Sequence, residues 1–354
     1  MSEPEVLLHD VSPHGNLEAV VEQDHRVAHL YLRATENEDF GLKSCWVRNI
    51  APAPDELDVA GMQEGIAPML PKEHCAYPQG QPPLDAGRLR LLWLPEGDGV
   101  VLLEDDEMLA IIPGWSGYKD FEGYARDCVG ESRLCWKLES NVEWDRRISE
   151  ADAYWNAWGE ESSPWPECQD AFLAAYEKVL GPHAKYYGID GDNWPPKAMI
   201  RIDHADGIYL LTLGVSLRPQ PEVEMYYEDP TDFRRFELAA CLPCDVSEES
   251  VGRFADYLSG QASLPWTNFT FLGHGHTVPC DAFAGDDKLE QFKFVLLAES
   301  PAGAPELNTP RMSGEKVSLL WAIPITGDEQ ALAQREGSAA VLGQLESLLR
   351  LASD

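Results

Sequence analysis

Ala198-Met-Ile-Arg-Ile202, Asp203-His-Ala-Asp-Gly207, Ile208-Tyr-Leu-Leu-Thr-Leu213 and Gly214-Val-Ser-Leu217 follow one another without a gap, and their reading decides the fold. The first and third pieces are short apolar runs rich in β-favouring residues. They are bounded by residues that favour turns, which is the pattern of two paired strands. The connection between them has what a tight turn wants, Asp and Gly, with His204 at its edge. Asp203, His204 and Asp206 would also suit a metal or acid–base chemistry. No nucleophile or phosphate-cradling motif accompanies them, so the turn is the reading adopted.

Working outward, Arg235-Phe-Glu-Leu-Ala-Ala-Cys-Leu242 reads as another strand. A short amphipathic helix is expected over Glu248 to Ser259, capped at Asp245 with Glu248 three residues on, and facing inward with Val251, Phe254, Ala255 and Leu258. Strands are expected at Gln291–Leu297 and Val317–Ile323. Thr326-Gly-Asp-Glu329 is a capping-box pattern opening a last helix towards Leu351, with Leu332, Ala339, Leu342, Leu345 and Leu349 on one side. Upstream, a helix from about Glu167 to Leu180 carries Phe172, Leu173, Tyr176, Val179 and Leu180, and Gly181-Pro182 stops it. Helix, strands, helix, strands, helix is not the regular alternation of a doubly wound parallel sheet. The expected class is α+β, a mixed β-sheet flanked by helices in a C-terminal domain.

The N-terminal part reads as strand-rich. Val27–Arg33 and Lys43–Ile50 are β-favouring runs. Leu89–Leu94 and Val100–Leu103 flank the turn Pro95-Glu-Gly-Asp-Gly99 as a hairpin, and Met108–Ile112 follows. Residues 51–87, rich in Pro, Gly and acidic side chains, are predicted to form a long surface connection. Val142 to Gly159 reads as a helix whose aromatic face would pack the two halves together. Ser162-Ser-Pro-Trp-Pro166 reads as a linker. The expected division is residues 1–145, a strand-rich domain of unknown role; 146–164, helix and linker; and 165–354, the C-terminal domain.

Charge narrows the functional classes. Across 354 residues there are 61 Asp and Glu against 27 Lys and Arg, a net charge of −34. Such a surface repels nucleic-acid phosphates and anionic lipid heads; it either attracts a protein partner with a basic surface or simply keeps the protein soluble. No secretory signal is visible at the N-terminus and no apolar run approaches about 20 residues. A cytoplasmic protein is expected, with its eight scattered cysteines as buried reduced thiols.

The constellation that most suggests chemistry is Cys241-Leu-Pro-Cys244 with His274-Gly-His276 and Cys280. Two short ligand pairs could supply the four donors of a tetrahedral zinc site, and the Cys pair alone could be a redox dithiol. An alternative function follows, a metal-dependent or redox enzyme centred on Cys241, Cys244, His204, His274 and His276. Against it, the spacing is not that of a standard finger and no thioredoxin-like order surrounds the dithiol. Phosphate loops, the nucleophile elbow and H-E-x-x-H are all missing. No catalytic, cofactor or metal residue is assigned. Trp155, Trp158, Trp165 and Trp194, near the expected junction, are the aromatic anchors a contact surface there would use, or else core.

From Trp165 onward the sequence resembles the suppressor of fused domain family, as an ordered series of segments. Asp203 to Leu217 is similar to the family's His- and Tyr-containing strand leading into Gly-x-Ser. Arg235-Phe-Glu-Leu238 resembles its Gly-Phe-Glu-Leu strand, with Arg234 and Arg235 in place of small residues. Phe254-Ala-Asp-Tyr-Leu258, Gly273-His-Gly-His-Thr-Val-Pro279, and Val317 to Thr326 with Glu329 and Gly337 follow in order. The resemblance implies a mixed sheet flanked by helices and a non-catalytic, protein-binding role without cofactors. Bacterial members are proposed as immunity proteins against polymorphic toxins, and the solo architecture resembles those, which makes a basic toxin the implied partner.

Overall fold

The computed structural model describes residues 4–139, 142–159, 162–286 and 288–345. The chain divides into two compact units, residues 1–159 and 160–354. In the first, β1 (Glu5–Val11), β2 (Leu17–Gln23), β3 (Val27–Ala34) and β4 (Leu42–Asn49) form a four-stranded antiparallel meander. In β2 the side chains alternate between buried and half-buried, so Leu17, Ala19 and Val21 point to the core as a period of two requires. After the short α1 (Val59–Gln63) comes a second sheet of β5 (Leu89–Trp93), β6 (Val100–Glu104), β7 (Glu107–Ile112), β8 (Tyr124–Ala125) and β9 (Trp136–Lys137). The hairpin expected from the sequence is β5–β6, paired from Leu89↔Glu104 to Trp93↔Val100. Helix α2 (Val142–Ala157) lays Trp144 and Ala151 on a core with Leu92, Leu94, Val101 and Ile111 of this sheet, and Trp155 packs at its edge.

Residues 51–87 are more than a surface connection, which corrects the sequence reading. Ala53, Leu70 and Leu84 are buried there. The buried Asn49 amide fastens the segment, donating to Leu70 O at 2.7 Å and accepting from Leu70 N at 3.0 Å. A buried amide with both ends satisfied pins backbone that Pro/Gly composition alone marks only as irregular.

The second unit opens with α3 (Trp165–Leu180) and β10 (Lys185–Gly188), then β11 (Ala198–His204), β12 (Gly207–Leu213) and β13 (Phe236–Leu242). Next come α4 (Glu248–Gln261), α5 (Leu264–Asn268), β14 (Thr277–Pro279), β15 (Phe292–Ala298), β16 (Ser318–Thr326), α6 (Gly327–Glu336) and α7 (Ser338–Leu342). Seven strands form one sheet in the order β10-β11-β12-β13-β16-β15-β14. Every pair is antiparallel except β13–β16. The fold class is α+β, as the element order implied.

All seven residues of β12 and of β13 are buried, as expected of central strands covered on both faces. Leu210, Leu238, Leu242 and Leu320 meet Val251, Phe254 and Leu258 of α4 in the main core. Helix α3 packs on β12, where the buried Tyr176 hydroxyl donates to Thr212 O at 3.0 Å. Two helix boundaries depart from the sequence reading. Ser247, not Asp245, caps α4, its hydroxyl accepting from Ser250 N at 3.1 Å. The capping box of Thr326 and Glu329 is present, but the last helix breaks at Gly337, whose φ of +88° ends α6. Leu349 lies outside the described residues.

Candidate functional site

The Cys/His cluster of the alternative reading does not assemble. Cys241 is buried in β13, opposite Tyr209 of β12. Burial pushes its thiol up to about 12. Cys244 is exposed at the end of that strand, its Sγ 3.6 Å from His204 O. His274 and His276 precede β14, an edge strand of the sheet. Two strands stand between β13 and β14, a separation of about 14 Å at ordinary strand spacing. His274 Nδ1 accepts from Glu299 N at 3.1 Å, and His276 packs on Phe271. Cys280 is core. Among the described residues no three His, Cys, Asp or Glu side chains converge to hold a metal ion. The His204 turn is a turn: its imidazole hydrogen-bonds Asp206, which also accepts from the Tyr209 hydroxyl at 3.3 Å.

The tryptophans proposed as anchors are packing residues where the structure shows their contacts. Trp155 Nε1 donates to Trp93 O at 2.7 Å inside the first unit. The Trp165 ring lies against Gly214, where an added Cβ would stand 2.5 Å from it.

The more informative surface is the segment after the Gly-x-Ser turn, residues 218–234. Its two ends are held by buried polar side chains. Glu237 is fully buried and accepts from the Thr212 and Ser216 hydroxyls, both at 2.7 Å, and from Ser216 N at 3.0 Å. Burial raises its carboxyl and these donors oppose that. Arg235 Nη1 donates to Ser216 O and Leu217 O at 2.8 and 3.1 Å. The buried Gln220 amide donates to Leu272 O at 3.0 Å and accepts from Leu272 N at 2.7 Å. Trp266 Nε1 donates to Pro219 O at 3.0 Å, and the Arg218 guanidinium sits 5.0 Å over the same indole.

Between those pins the chain presents aromatic rings to solvent. Tyr226 is 63% exposed and Phe233 38%. Tyr227 stacks on Phe233 at 3.9 Å between centroids, and Tyr226 leans on Phe271 at 5.0 Å. Five carboxylates (Glu222, Glu224, Glu228, Asp229 and Asp232) occur from 222 to 233, with no Lys or Arg between Arg218 and Arg234. Asp229 shapes the turn by accepting from Thr231 N at 3.1 Å. Sequence reasoning passed over this segment because it has neither periodicity nor a catalytic motif. The legible signal was its pairing of aromatic and acidic residues, Met225-Tyr-Tyr-Glu-Asp229.

These features describe a mixed α+β protein with an exposed aromatic–acidic segment held at both ends by buried hydrogen bonds. Residues 194–350 match the family profile described as Suppressor of fused protein (SUFU). No curated protein sequence matches the chain. Among solved structures, one described as the Sufu–Fu complex is similar at 15% identity and TM-score 0.37, over 50% of this chain and 82% of that one. A second, Drosophila Suppressor of Fused, is similar at 16% identity and TM-score 0.35, over 50% of this chain. The chain spans 46% of that Drosophila chain.

Proposed function

We propose that the protein works by binding another protein, without catalysing a reaction, and that the patch around Tyr226 and Phe233 is where the partner docks. The observation that carries this is the exposure of Tyr226 and Phe233 on a backbone fixed by buried hydrogen bonds. Rigid aromatic side chains lose little freedom on binding and dominate the energy of interfaces. The surrounding carboxylates select a basic partner. Its Lys or Arg side chains would lie over the Tyr226 ring and pair with Glu228 and Asp232 at the rim. A cytoplasmic immunity protein that masks a basic toxin is the specific form of this reading, and the net charge of −34 suits it.

The test is affinity capture from the native cell, wild type beside a Tyr226→Ala/Phe233→Ala variant, at low salt and at about 0.5 M salt. The expected result is one basic protein retained stoichiometrically at low salt, released by salt, and bound at least tenfold more weakly by the variant. Equal capture by both chains, or no stoichiometric partner, would sink the reading.

A further inference from the structure

Four of the eight cysteines, Cys45, Cys75, Cys128 and Cys135, lie in the first unit, and all four are buried. Cys128 stands at their centre. It faces Cys75 across an isolated antiparallel bridge, flanked by Ala76 N to Asp127 O at 3.0 Å and Val129 N to His74 O at 2.7 Å. It is also within hydrogen-bond reach of Cys135: its thiol donates to Cys135 O at 3.5 Å. The link between them is folded back by Ser132, whose hydroxyl donates to Cys135 O at 2.9 Å and accepts from Cys135 N at 3.2 Å.

We propose that Cys128 and Cys135 are a redox-active dithiol that a hydroperoxide converts to a disulfide. The two sulfurs have different surroundings, and this assigns their roles. Hydrogen bonds from Cys135, Val129 N–H and Ser132 hold the Cys128 thiol below its ordinary value, although burial opposes them. Burial pushes Cys135 well above it. Cys128 is therefore the more acidic sulfur and the one that attacks, and Cys135 the thiol that resolves.

In the first step the Cys128 sulfur bonds to one peroxide oxygen and the O–O bond breaks. The sulfur loses two electrons to become a sulfenic acid, and the departing alkoxide or hydroxide takes a proton from solvent. In the second, the Cys135 sulfur attacks that sulfur, the S–O bond breaks, and the hydroxyl leaves with the thiol proton as water. Arg133 and Leu134, between the two cysteines, line a cavity of about 550 Å³ that Tyr31 and Met62 also border. Closing the bond draws on this wall, so the two redox states present different walls to the cavity.

Trypsin makes the test direct, because Arg126, Arg133 and Lys137 bracket the two cysteines. The reduced full-length protein is treated with stoichiometric hydrogen peroxide, alkylated, digested and mapped without reduction. The expected product is peptide 127–133 joined to peptide 134–137. Cys135→Ala should leave a sulfenic acid on Cys128 that dimedone traps, and Cys128→Ser should give neither product. Peptide 127–133 joined instead to 73–88, which holds Cys75, overturns the proposal, as does oxidation confined to the exposed Cys244. The wild-type map decides even if a variant fails to fold.

Discussion

Arg235 and Glu315, eighty residues apart in sequence, form a buried ion pair in which Arg235 Nε donates to Glu315 Oε2 at 2.5 Å. Arg234 binds the other oxygen of the same carboxylate, Nε to Oε1, at 2.6 Å. The pair sits where β13 and β16 begin their parallel ladder, next to Ser318 N donating to Arg235 O at 2.9 Å. These are the two arginines that stand where the family pattern has small residues. Glu315 answers them, so the departure from the pattern is compensated within the chain. Arg235 then reaches back to Ser216 O and Leu217 O, and one residue holds both the ladder and the root of the aromatic–acidic segment.

Glu315→Gln should therefore destabilise the second unit strongly. Removing one partner leaves a guanidinium that is nearly fully buried without its counter-charge, a loss of about 3–5 kcal/mol. The measurement is a urea unfolding curve. An unchanged midpoint would show that the pair contributes nothing net.

Gly214 should not tolerate a side chain. Its φ of +91° lies in the left-handed region, and a Cβ would meet Pro196 O at 2.8 Å as well as the Trp165 ring. Strain and crowding together should make Gly214→Ala cost about 2–5 kcal/mol. Thermal denaturation should show it as a large fall in Tm. A fall no greater than that of Gly188→Ala, where nothing lies near the added carbon, would contradict it.

Much of this architecture was legible in the sequence. Central strands such as Ile208–Leu213 announce themselves because burial on both faces demands continuous apolar runs. Edge strands do not. Lys185-Tyr-Tyr-Gly188 is exposed along its length and carries no pattern that marks it, and β1 is nearly as open. The Cys/His proximity was suggested by local spacing, yet the sheet places two strands between Cys241 and His276. Strand order depends on long-range pairing that no short motif encodes. The aromatic–acidic segment was passed over for another reason: it is held by Gln220, Arg235 and Glu237, whose partners are fixed only in the folded chain.

His29 should make the first unit acid-sensitive. The ring is almost completely buried, its Nε2 donating to Pro68 O at 2.8 Å and its Nδ1 facing the Ser44 hydroxyl at 3.3 Å. Burial lowers its pKa from 6.5 to about 4; the Pro68 carbonyl and Asp24 oppose this, and Arg26 adds to the lowering. A base whose folded pKa is depressed is neutral in both states above pH 6.5, so there the fold bears no penalty. As the pH falls from 6.5 the unfolded chain takes up a proton that the folded one refuses. Stability then declines until about pH 4, by about 3 kcal/mol in all, and His29 contributes no further loss below that. Carboxylates titrate in the same range, so the informative quantity is the difference between wild type and His29→Gln. Urea unfolding at pH 7.5, 5.5 and 4.5 should show the wild type losing stability faster than the variant. Parallel losses across that range would mean that the imidazole enters the folded state protonated and that the buried neutral ring is wrong.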